Sequence, residues 1–83
     1  MVKRKPEVVS QKNEAGFVLL DMESGKFYSL YDVAADIWEY VEQELSQEKI
    51  INLLKERYGI SEKKAFNDVN AFLDELRKED LIT

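Results

Sequence analysis

The chain is 83 residues long, carries a formal net charge of −5 and contains neither cysteine nor histidine. That length suits one small domain with a modest core. The missing residue types exclude disulfides, thiolate metal sites and any Cys-His or Ser-His-Asp catalytic arrangement, and an acidic chain is poorly matched to phosphate backbones.

Residues 1–6 hold the one basic run, Lys3, Arg4 and Lys5. No apolar segment follows it, as a signal peptide would require, so these residues read as a flexible tail ahead of a domain spanning 7–83. No apolar run approaches the ~18 residues that cross a bilayer, and the chain reads as cytoplasmic with no membrane partner. Residues 7–12 suit a short edge strand, and residues 13–16 a turn. Phe17, Val18, Leu19 and Leu20 form an apolar run of strand length that ends at Asp21. Ser24-Gly25 marks the next turn, and residues 26–31, rich in aromatics, suit a third strand that closes a hairpin over a four-residue connection. Asp21, Glu23 and Ser24 lack the remaining ligands of a calcium loop, so no metal site is expected.

The apolar period then changes from two to about 3.6. Asp32 is placed to cap a first helix whose buried face is Ala34, Ile37, Trp38, Val41 and Leu45. Ser46 caps a second, with Glu48 near its positive end and Ile50, Ile51, Leu53, Leu54 and Tyr58 buried. Gly59 is its stop signal, and Ser61 caps a third helix running to about residue 79. Three strands in an antiparallel sheet, then three helices, is an α+β fold of the winged helix-turn-helix kind.

Two features point toward binding. The third helix carries two apolar stripes, one through Ala65, Val69, Phe72 and Leu76 and one through Phe66, Val69, Leu73 and Leu76. Neighbouring elements can cover both; alternatively, one stripe lines a groove for a peptide. A three-stranded sheet also leaves free edges whose unpaired N–H and C=O groups can accept an added strand, although most such edges are merely solvated. Neither Glu42 with Glu44 nor Glu79 with Asp80 has the spacing of an acid/base dyad, so no catalytic residue is assigned. Lys63 and Lys64 would favour DNA at the start of the third helix, but Asp68, Asp74 and Glu75 would oppose it.

The stretch from Phe17 to Ile82 resembles the PqqD-like family of leader-recognition elements in ribosomal peptide natural-product pathways. The resemblance is carried by Val18-Leu19-Leu20-Asp21, by Ser24-Gly25-Lys26-Phe27-Tyr28-x-Leu30 and by Ala34-Ala35-x-Ile37-Trp38. It continues through Tyr58-Gly59-Ile60, Ala65-x-x-Asp68-Val69-x-x-Phe72-Leu73-x-x-Leu76 and the closing Leu81-Ile82. Two departures stand out: Tyr31 where the family often has Asn, and Gln43-Glu44-Leu45 where it has a glycine-containing link.

The resemblance implies a non-catalytic peptide-binding protein without a cofactor. It captures a precursor leader by strand addition and delivers it to a leader peptidase or other modifying enzyme. The stand-alone chain and the Asp21-x-x-Ser24-Gly25 turn resemble the lasso-peptide type; the partner of a radical peptide-modifying enzyme, a winged-helix DNA-binding protein and a subunit docking only on a folded enzyme are the alternatives. Carried onto this chain, the backbone of Lys26, Phe27, Tyr28, Ser29 and Leu30 pairs with the leader. Phe66, Val69, Asn70, Leu73 and Arg77 face it from the third helix, so Leu73→Asp is expected to abolish capture and spare helical content. A free edge also permits a weak dimer beside the monomer, and no nucleic-acid partner is expected.

Overall fold

The change of apolar period falls where the chain passes from sheet to helix. The computed structural model describes residues 2–83 and contains β1 (Val8–Lys12), β2 (Gly16–Asp21), β3 (Phe27–Tyr31), α1 (Asp32–Glu42), α2 (Gln47–Tyr58) and α3 (Glu62–Lys78). The strands form one antiparallel sheet in the order β1-β2-β3, giving the expected α+β fold. Alternation along the strands turns Val8, Phe17, Leu19 and Leu30 inward, where the helices bury them. Trp38 of α1 is fully buried among them, and its indole N–H donates to Ser10 Oγ at 2.8 Å, so α1 is tied to β1 through a satisfied polar atom.

Each hairpin has a local cause. Asn13 Oδ1 accepts from the amides of Ala15 and Gly16, both at 2.9 Å, which closes the β1–β2 turn. At Gly16 a Cβ would stand 2.0 Å from the Leu30 carbonyl oxygen, so only glycine lets β3 approach. The β2–β3 connection is residues 22–26, one longer than expected, and Asp21 organises it. The carboxylate of Asp21 accepts from the amides of Glu23 (2.9 Å) and Ser24 (3.3 Å). The Glu23 amide bond is the main reason that its pKa lies below the ordinary aspartate value.

The helix ends show one agreement and one correction. Ser46 and Ser61 cap α2 and α3, accepting from the amides of Lys49 (3.2 Å) and Lys64 (3.1 Å). Asp32 does not cap α1: Tyr31 occupies the N-cap position without a side-chain bond, and Asp32 is the first helical residue, with φ of 52°. Helix α1 ends in a Schellman arrangement in which Glu44 N donates to Val41 O (2.9 Å) and Leu45 N to Tyr40 O (3.3 Å). Glu44, at φ 57°, thus holds a left-handed position within the Gln43-Glu44-Leu45 link. The same motif closes α3, with Asp80 at φ 59° and Leu81 N donating to Leu76 O at 2.9 Å.

Two further expectations are corrected. The segment expected as a flexible tail is docked: Val2 is buried, Lys5 N donates to Leu81 O (3.0 Å) and Thr83 N to Lys3 O (2.9 Å), in an antiparallel bridge between Arg4 and Ile82. Met1 lies outside the described residues. Tyr58, expected in the core, is exposed because its hydroxyl donates to Asp36, which also pairs with Arg57 at 3.3 Å.

Candidate peptide-binding cleft

The hydrogen-bond phase of the sheet decides what β3 offers. Asp21 N donates to Lys26 O (3.0 Å), so β2 and β3 bond through Asp21 with Lys26, Leu19 with Tyr28 and Phe17 with Leu30. On the other side of β2, Met22 N donates to Glu7 O (2.9 Å) and Asn13 N to Gly16 O (2.8 Å), which puts the even-numbered residues of β2 on β1. The two observations agree. The N–H and C=O groups of Phe27 and Ser29, and the N–H of Tyr31, therefore point away from the sheet. No strand pairs with them among the described residues. An incoming strand would meet these donors and acceptors rather than those of Lys26, Tyr28 and Leu30, whose backbones are already engaged by β2.

The side chains alternate in the same way. Tyr28 and Leu30 lie on the helix side, and Phe27 (71% exposed) and Tyr31 (54% exposed) on the opposite face. The Tyr28 phenol crosses to the end of α3 and donates to Glu79 Oε2 at 2.9 Å. Burial, and then the Glu79 carboxylate, hold its pKa above the ordinary tyrosine value.

Glu79 identifies the side of α3 that looks toward β3. Phe72 lies two turns earlier on the same stripe, and Asp68 one turn before that. Phe72 is half-buried against the core. The cleft beside the β3 edge is therefore framed by Tyr28 from the sheet and by the Phe72–Glu79 stripe from the helix. Its helix side is apolar at Phe72 and acidic at Asp68 and Glu79.

The residues expected to face the cleft from α3 fall elsewhere. Val69 and Leu73 are fully buried (0% exposed) and belong to the core. Phe66 and Asn70 lie on the side toward α2. Asn70 bonds Gln47, and Phe66 (51% exposed) lines an open groove of about 530 Å³ with Ile51 and Gln47. Arg77 bonds Asp74 Oδ1 and Thr83 O, both at 3.3 Å, and so faces the C-terminal segment. Of the strand residues, Lys26 begins the edge, Ser29 is exposed, and Phe27, Ser29 and Tyr31 carry the outward backbone groups. Sequence reasoning did not place Phe72, Glu79 or Tyr31 beside the β3 edge. Phe72 was legible as part of an apolar stripe, whereas nothing distinguishes Glu79 from any charge at a helix end.

The profile of the family described as "Coenzyme PQQ synthesis protein D (PqqD)" matches residues 16–82. The chain belongs to the PqqD family. No curated protein matches it in sequence. Two solved structures share its fold throughout. One, TbiB1 in complex with the TbiA(beta) leader peptide, has a TM-score of 0.93 at 26% identity, over 96% of this chain and 93% of that one. The other, a lasso peptide synthetase B1 complexed with the leader peptide, has a TM-score of 0.90 at 26% identity, over 99% of this chain and 96% of that one. This PqqD-family chain thus has the architecture of two proteins solved with a peptide bound, and among its described residues no helix is long and apolar enough to cross a membrane.

Proposed function

We propose that this protein captures the leader of a ribosomally made precursor peptide, of the lasso type, and delivers it to a peptidase or other modifying enzyme without doing chemistry itself. The leader adds to the sheet as a fourth strand on β3, bonding Phe27, Ser29 and Tyr31, while alternate side chains enter the cleft between Tyr28 and Phe72. The observation that carries this reading is the unpaired β3 edge beside that cleft, in a fold that matches two leader complexes over nearly its whole length.

Backbone bonds supply register and little selectivity, so affinity rests on apolar anchors beside Phe72. Ordering a disordered leader opposes binding, and the preformed edge limits that cost to the peptide. Tethering raises the concentration of the core peptide at the enzyme with no new contact at the reacting bond. Fluorescence polarisation of a labelled leader, from the precursor encoded beside this chain, tests the reading. Saturable binding of the true leader and none of a scrambled one is expected; equal binding of both, or of neither, contradicts it.

A further inference from the structure

Six carboxylate side chains are not fully exposed: those of Glu7, Asp21, Asp36, Glu39, Asp68 and Glu79. Four of them are answered within the chain. Asp36 pairs with Arg57 (3.3 Å), Glu39 with Lys12 (2.9 Å) and Asp68 with Lys64 (3.3 Å), while Asp21 is held by backbone amides. Glu7 precedes β1, at the opposite edge of the sheet from β3. Glu79 is left, beside β3, and it forms no ion pair among the described residues. Its one side-chain partner is neutral: the Tyr28 hydroxyl donates to Oε2 at 2.9 Å, and Oε1 accepts from no described group.

The position of Glu79 is unfavourable for an anion. It is the C-cap residue of α3, at the negative end of the helix dipole, where a cation is the stabilising choice. Partial burial weakens its hydration as well. A carboxylate kept there without a cation gains most from one that arrives on a ligand. The geometry of the β3 edge says how such a cation would come. In either strand direction, the residue of an added strand that lies beside Tyr28 shares its face of the pleat and points toward α3. A lysine or arginine side chain is about as long as that of tyrosine. Its apolar stem can lie along the Tyr28 ring while its charged head reaches the carboxylate at the tip of the phenol.

We propose that Glu79 is a specificity-determining residue of the cleft, and that it accepts a lysine or arginine side chain of the leader at the strand position beside Tyr28. The cleft then takes a leader with a cation in its pairing strand and rejects one with a carboxylate at that position. Backbone pairing cannot make this distinction, because every residue offers the same N–H and C=O groups. The net charge of −5 draws a basic peptide toward the chain from a distance, and Glu79 fixes where its cation sits. This inference rests on the strand-addition reading above.

The test uses the labelled leader of the precursor encoded beside this chain, and peptides in which each of its lysines and arginines is replaced singly by methionine. Affinity is read by fluorescence polarisation for the unsubstituted protein, Glu79→Gln and Glu79→Lys, with thermal melts to show that each variant folds. Glu79→Gln keeps an acceptor for the Tyr28 hydroxyl and removes the charge. It should weaken leader binding about fivefold and flatten its dependence on salt. One of the methionine replacements should cause the same loss with the unsubstituted protein and no further loss with Glu79→Gln. Glu79→Lys should reverse the preference, so that the leader binds it better with glutamate at that position. Asp68→Asn changes a carboxylate that Lys64 already neutralises on the same stripe, and should leave affinity within about twofold. Leader binding in which no methionine replacement is coupled to Glu79→Gln, or in which Asp68→Asn matches its loss, overturns this inference alone. So does tight binding of a leader that has no lysine or arginine. Failure of the unsubstituted protein to bind leader overturns the strand-addition reading as well.

Discussion

The two edges of the sheet are built from strands of equal length and are treated in opposite ways. At β1, the outward N–H of Val8 donates to Lys5 O at 3.1 Å, and the Val8 carbonyl accepts from the Arg4 guanidinium. The docked N-terminal segment therefore satisfies the Val8 end of that edge from within the chain. At β3, the outward groups of Phe27 and Ser29 have no such partner among the described residues. An unprotected edge is an aggregation hazard that proteins ordinarily cover. One edge is covered at its first residue and the other is not, and the open one runs beside Tyr28, Phe72 and Glu79. That contrast is what the proposed strand addition at β3 rests on.

The largest expected effect comes from treating a core position as part of the cleft. Leu73→Asp puts a carboxylate where exposure is 0%, and an uncompensated buried charge costs more than about 3–5 kcal/mol. A domain of this size has about 5–15 kcal/mol in total. Loss of both the far-UV helical signal and leader binding is expected, contrary to the outcome that the sequence alone suggested. Phe72→Asp is the informative counterpart. It lies half-buried on the β3 side of α3, so helical content should persist while leader affinity falls at least tenfold.

Next in size is a direct contrast of the two edges. Ser29→Pro removes an outward N–H of β3 and leaves the bonds to β2 intact, an edge position where proline is tolerated. Leader affinity should fall about tenfold, from one lost bond of roughly 1 kcal/mol and the crowding of the ring. Lys12→Pro removes an outward N–H from β1 and should leave affinity within twofold by fluorescence polarisation. Equal losses from the two prolines would erase the distinction between the edges.

A smaller effect concerns acid. The Asp21 carboxylate has a folded pKa below its unfolded value, so its contribution to stability is present above about pH 4 and is lost as pH falls through the folded pKa. Urea midpoints measured between pH 7 and pH 3 should fall less steeply for Asp21→Asn than for the unsubstituted protein. The smallest effect is a gain. Glu44→Gly relieves a left-handed backbone that costs a non-glycine residue about 1 kcal/mol, against the loss of an exposed pair with Lys3 (3.4 Å) that contributes little. A melting temperature a few degrees higher is expected.

Much of the architecture was legible because it follows from local periodicity. The Phe17–Leu20 run, the serines at 46 and 61, and Gly59 each have one good structural solution, and each appears in it. Asp32 was misplaced by one residue because a cap depends on backbone angles that composition does not show. Glutamate is not a residue type that marks a left-handed position, so only the departure at Gln43-Glu44-Leu45 pointed toward Glu44. The docked N-terminus was illegible since its partners lie about 80 residues away, and a short basic run reads as solvated until Val2 is seen buried.

For the candidate site, the free edge of the third strand was legible and the rotation of α3 was not. A helical wheel orders residues around α3 but does not fix the rotation of the helix against the sheet. That angle decides whether Phe66 or Phe72 lies on the β3 side. Alternation from Leu30 does place Tyr28 inward, a sequence signal that could have separated it from Phe27.

Amide hydrogen exchange by NMR, with and without saturating leader peptide, tests the central claim most directly. Protection should appear at the N–H groups of Phe27, Ser29 and Tyr31, with little change at Tyr28 and Leu30, which β2 already protects, or at Val8. Leader binding with unchanged exchange at Phe27 and Ser29, or with new protection centred on β1, would contradict strand addition at β3.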